Sequence, residues 1–109
     1  VEASENLIAS RKQFEEIRND IEFSIRDQVL RLQTLREQID LYEQILIPQA
    51  EEALRSTESA YETGQIRALE LLDSERFLLS ARLMQERYQI DYLQALAALE
   101  RAVGTRFPR

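Results

Sequence analysis

A chain of 109 residues with 14 Lys and Arg against 20 Asp and Glu, formal charge −6, holds one domain at most. Two glycines and two prolines leave too few turns for a sandwich or barrel, and a composition 44% hydrophobic and 31% charged is that of long helices. The absence of histidine and cysteine removes zinc sites, His or Cys nucleophiles, triads and disulfides, and the acidic balance argues against nucleic acid.

The opening residues Val1-Glu2-Ala3-Ser4-Glu5 have neither a charged n-region nor an apolar h-region, so a signal peptide is not expected there. The missing initiator Met predicts a processed chain or a piece of a longer one. Helical periodicity then sets in at Phe14, Ile17, Ile21 and Ile25, and continues through Leu32, Leu35, Ile39, Tyr42 and Leu46. Gln28 is the one polar interruption. Past Pro48 the stripe is expected to pass Ala50, Ala53 and Ala60. Spacings of three and four are the a/d seam of a coiled coil. Pro48 itself allows a separate third helix, since Glu51 and Glu52 suit an N-terminus, or a kink in one long helix. With the stripe unbroken and no Gly, Ser or Asn beside it, the kink is favoured.

The segment Tyr61-Glu62-Thr63-Gly64-Gln65-Ile66-Arg67-Ala68 interrupts the pattern, and Gly64 suits the left-handed position that ends a helix. A second helix follows with two apolar stripes. One is Leu69, Leu72, Leu79, Leu83, Ile90, Leu93 and Ala97, with Arg76 and Glu86 filling its gaps. The other is Leu71, Leu78, Ala81, Tyr88, Tyr92, Leu96, Leu99 and Val103. A face that wide serves two neighbours. Arg101, Gly104 and Pro108 supply stop signals. The expected fold is therefore all-α, one antiparallel coiled-coil hairpin over residues 1–109. Its helices run over about residues 3–62 and 68–103, with the turn at about 63–67.

The arms are unequal. At 1.5 Å per residue they run roughly 90 Å and 54 Å, so Val103 falls opposite residue 27. Leu7, Ile8, Phe14, Ile17, Ile21, Phe23 and Ile25 then have no partner in the chain, which predicts a helix from elsewhere to cover them.

Chemistry has little support. Glu15-Glu16 and Glu51-Glu52 are adjacent and do not share a helix face, and a di-metal bundle would need histidine. Met84 reads as a gap-filler, and Tyr88 and Tyr92 as interface residues one turn apart. No enzyme activity, cofactor or metal is expected. Glu70 and Asp73, three apart at the start of the second helix, share one side of it. Carboxylates placed there offset the helix dipole, and that alone accounts for them on local grounds. No apolar run reaches the roughly 18 residues of a membrane span, so this segment is not expected to touch the membrane.

The run Ile47-Pro48-Gln49-Ala50-Glu51, then Tyr61-Glu62-Thr63-Gly64, Leu71-Leu72-Asp73 and Leu99-Glu100-Arg101-Ala102-Val103-Gly104 resembles the TolC-like outer-membrane efflux family. Members carry a Y-x-x-G turn, an L-D pair about nine residues after the glycine, and an L-G or V-G pair about thirty residues later. The first and last runs look most like the heavy-metal and cation-efflux branch. The resemblance implies a periplasmic hairpin, the second of two in each protomer of a trimer whose helices form an α-barrel below an outer-membrane β-barrel. It implies an adaptor protein and an inner-membrane pump as partners. It places the gate at Tyr61, Gly64, Arg67, Glu70 and Asp73, and adaptor docking at Gln65, Ile66, Ala68 and Leu69. Glu70 and Asp73 fall where the type member has two aspartates that ring the closed aperture. Its gating arginine aligns with Ile66, so a salt link here would need Arg67 instead. Cap and ring are thus both open for the acidic pair. The competing reading of the whole chain is the coiled-coil hairpin of a periplasmic adaptor or another scaffold, for which arms of similar length are expected.

Overall fold

The computed structural model describes residues 2–104; Pro108, one of the expected stop signals, lies outside the described residues. In chain order the elements are α1 (Glu2–Leu41), a π turn (Tyr42–Leu46), α2 (Ile47–Glu62) and α3 (Ala68–Val103). Among the described residues there is no strand. The fold is an all-α helical hairpin, with one helical stretch of 61 residues against 36 for α3. Two units divide the chain, one spanning Gln33–Gln94 and the other holding the portion up to Leu32 and the portion from Ala95.

The Gln33–Gln94 unit is the hairpin around its turn, and its seam is regular on the α3 side. Leu71, Ser74, Leu78, Ala81, Gln85, Tyr88 and Tyr92 alternate at spacings of three and four, and every one is buried or half-buried. Ile47 and Ala50 close against Leu78 and Ala81, with Tyr42 and Leu54 packed beside them. Ala50 is only 1% exposed, so the arms approach closely at that layer. One step further from the turn the rings of Tyr42 and Tyr88 meet at 5.5 Å between centroids, inclined by 57°. That tilted geometry suits the ring quadrupoles. Glu51 and Arg82 pair across the arms at 3.7 Å, an exposed contact of little energetic weight.

Two expectations about the seams need correction. Ala53 is exposed, and Leu54 takes its place. Val103 is exposed too. At Pro48, where a kink in one long helix is the expectation, the structure has a π turn ahead of the proline. The Ile47 N–H reaches back five residues to the Tyr42 carbonyl, while Leu46 and Ile47 keep helical angles. A proline ring in a regular α-helix clashes with the carbonyl four residues earlier, here that of Gln44. Widening the preceding turn by one residue relieves that crowding, and Pro48 then falls in the first turn of α2. The extra residue moves the seam one position along, which is why Ala53 turns outward.

The two stripes of α3 also part company. The Leu71–Tyr92 stripe faces the first arm, whereas Leu69, Leu72, Leu79, Leu83, Ile90 and Leu93 are all exposed. In the other unit Ala95, Leu96 and Leu99 are buried, and Ile25, Gln28 and Leu32 are half-buried. Leu7, Ile8, Phe14, Ile17, Ile21 and Phe23 are exposed, Phe23 by 74%. α3 closes with Arg101 in its last turn and Gly104 at φ +75°, whose N–H donates to the Glu100 carbonyl at 2.8 Å.

Candidate functional site: the turn and the start of α3

α2 ends by a mechanism its sequence specifies. The Gln65 N–H donates to the Ala60 carbonyl at 2.9 Å and the Gly64 N–H to the Tyr61 carbonyl at 3.0 Å. These are the two bonds of a Schellman motif, with Gly64 at the left-handed position, φ +76°. Thr63 adds its own hydroxyl, which donates within reach of the Ser59 and Ala60 carbonyls. Four orphan carbonyls are the usual liability of a helix end, and here Ser59, Ala60 and Tyr61 are all satisfied. A Cβ at Gly64 would meet nothing within 4 Å. Gly64→Val is therefore expected to cost only the left-handed backbone strain, about 1–2 kcal/mol. Thermal melting checks it: a Tm equal to that of the parent would mean that the turn readjusts without strain.

α3 starts from the Arg67 carbonyl, which accepts the N–H groups of Glu70 at 3.1 Å and Leu71 at 3.4 Å. Arg67 is thus the N-cap residue and Glu70 the third helical position. Glu70 is the acidic residue of the first turn. Asp73, three positions on, lies beyond the turn in which dipole interactions are strong. The local explanation that covers Glu70 does not extend to Asp73.

Around this turn the side chains are open to solvent. Tyr61, Gln65, Arg67, Ala68, Leu69, Glu70 and Asp73 are exposed, and Ile66 is half-buried. The Arg67 guanidinium forms no ion pair among the described residues. Glu70 borders a groove between the arms together with Ser56, Thr57, Ala60, Ile66 and Ser74. Across that groove Thr57 and Ser74 join through their hydroxyls at 3.0 Å. Thr57 gives its one proton to the Ala53 carbonyl at 2.7 Å, so Ser74 donates to Thr57. Neither residue stands out in the sequence, because a search for apolar spacing passes over hydroxyls. On the outer face of α2 the hydrogen bond from Arg55 to Glu52, 2.6 Å, and then the Glu52 charge hold the guanidinium above its ordinary pKa.

Among the described residues no three His, Cys, Asp or Glu side chains are placed to hold a metal ion, and no helix is long and apolar enough to cross a membrane. What the turn offers is an exposed, polar-rimmed end on a two-helix stalk.

Comparison with known proteins gives one match. The model of the outer membrane efflux protein family matches residues 2–105. No curated protein and no solved structure matches the chain. The chain belongs to the outer membrane efflux protein family, and so to a channel for efflux.

Proposed function

We propose that this member of the outer membrane efflux protein family supplies a periplasmic hairpin of a trimeric channel, with its turn as the gate and adaptor-docking end. One observation carries the reading: the family match spans residues 2–105, both arms and the turn. The exposed stripes fit it. Leu69, Leu72, Leu79, Leu83, Ile90 and Leu93 give α3 an outward face for a neighbouring helix, and α1 has its own at Phe14, Ile17 and Ile21. Apolar faces that long are covered in a barrel of packed helices. The partners are then two further copies, a periplasmic adaptor and, through it, an inner-membrane pump.

At the turn, Gln65, Ile66, Ala68 and Leu69 meet the adaptor, while Tyr61, Gly64, Arg67, Glu70 and Asp73 shape the aperture. Among the described residues no carboxylate pairs with Arg67, which leaves its guanidinium to a partner beyond this chain. A cation cargo would match the branch to which Ile47-Pro48-Gln49-Ala50-Glu51 points.

The chain has no cysteine, so Gln65→Cys introduces a unique thiol at the turn. In cells producing the channel, that thiol is expected to react with a membrane-impermeant maleimide only once the outer membrane is permeabilised. It is also expected to cross-link to the adaptor. A thiol that stays unreactive until the inner membrane is broken would overturn the periplasmic placement, and cross-links confined to copies of the channel would overturn the docking role.

A further inference from the structure

The two arms of the hairpin differ in one respect that their lengths do not explain. Along α3 the seam Leu71, Ser74, Leu78, Ala81, Gln85, Tyr88, Tyr92 alternates threes and fours throughout. A matching line on the first arm is Leu35, Ile39, Tyr42, Ile47, Ala50, Leu54 and Thr57, with Gln38, Asp40, Leu46, Glu51 and Ala60 half-buried beside it. The spacings along that line are four, three, five, three, four and three. The single five coincides with the π turn, Tyr42–Leu46. Remove one residue between Tyr42 and Ile47, and the first arm acquires the same unbroken repeat as α3.

We infer that the π turn is a one-residue insertion in an otherwise regular seam, and that it serves as a soft joint dividing the arm into two segments able to move separately. A turn closed over five residues instead of four departs from the regular ladder of the α-helix on either side, and it occurs mostly as a single inserted turn of this kind. Pro48 takes a further backbone donor out of the same stretch. The result is a local minimum in backbone hydrogen bonding within a long helix. Regions of that kind open at lower free energy than their surroundings.

A second observation places the joint at a boundary. On the α1 side Leu30, Leu41 and Ile45 are exposed apolar residues, Ile45 by 48%. Between Pro48 and Gly64 the one large apolar side chain so exposed is Tyr61. The segment before the joint therefore offers an apolar back to a neighbour, and the segment after it offers a polar back to water. A bend at the junction lets the second segment shift while the first stays packed.

Ile45 is the residue to delete, since it lies in the π turn and adds nothing to the seam. Deletion alone would leave Pro48 inside a regular helix, where it clashes, so the comparison is made in a Pro48→Ala background. Adding the Ile45 deletion to Pro48→Ala is expected to raise Tm by several degrees. It should also slow hydrogen exchange of the amides of residues 43–50 by about tenfold. Deleting the exposed Ser56 in the same background breaks the repeat with no spare residue to absorb the loss, and is expected to lower Tm. An Ile45 deletion that lowers Tm or leaves exchange at 43–50 unchanged would overturn the inference. So would a Ser56 deletion tolerated equally well.

Discussion

Leu78→Ala is expected to destabilise the hairpin by about 2–4 kcal/mol, the largest stability loss of any single truncation in the Gln33–Gln94 unit. Leu78 is 7% exposed and sits in the one cluster where Ile47, Ala50 and Ala81 close on each other. Two of those partners are already alanines, so no larger side chain can move in to fill the space. A two-helix layer has solvent on both flanks and can collapse partly into the gap, which sets the lower end of the range. For a chain of this size the loss corresponds to a fall in Tm of roughly 10–20 °C. Leu79, the adjacent residue, is 58% exposed and gives the contrast. Leu79→Ala is expected to change the stability of the isolated chain by no more than about 0.5 kcal/mol. Chemical denaturation of the two variants checks both values. Similar losses for Leu78 and Leu79 would mean that the packed face of α3 has been misidentified.

The same pair shows how far the sequence could be followed. Long helices, the turn at Gly64 and the end of α3 at Val103 are legible because each has a local cause: helix-forming composition, a residue tolerant of positive φ, and a basic last turn before glycine. Two stripes on α3 are visible as well, yet spacing does not say which of them meets the first arm. That choice depends on three-dimensional packing, and the hydroxyl pair Thr57–Ser74 belongs to the seam chosen. The expected Ala53 failed for a related reason. Pattern-matching assumes a constant 3.6 residues per turn, and the π turn breaks that assumption once. Pro48 signalled a disturbance but not its kind. At the turn itself the Schellman bonds follow directly from Gly64. What Tyr61, Arg67, Glu70 and Asp73 do there is set by neighbours outside the chain, so the resemblance to efflux channels was the one route to a role for them.

Neutralising the acidic pair, Glu70→Gln with Asp73→Asn, is expected to abolish block of the channel by multivalent cations while leaving the hairpin folded. Both carboxylates are exposed, and their spacing of three puts them on one side of α3 close to the turn. With three copies around an axis, six carboxylates would ring one aperture, and mutual repulsion there favours a bound cation. Screening by salt is weak where a narrow pore excludes bulk water, so the effect should persist at physiological ionic strength. The helix-cap account makes a different prediction for each residue. Glu70 lies in the first turn of α3, so Glu70→Gln alone should cost about 0.3–1 kcal/mol of stability. Asp73 lies beyond it, and Asp73→Asn should cost almost none. A residue that barely affects stability yet removes part of the cation block has a role in the pore. Measuring each single variant in both assays therefore separates the two accounts at Asp73, where they do not overlap. If Asp73→Asn leaves the block undiminished, the carboxylate has no part in a ring, and the aperture must draw its selectivity from other residues.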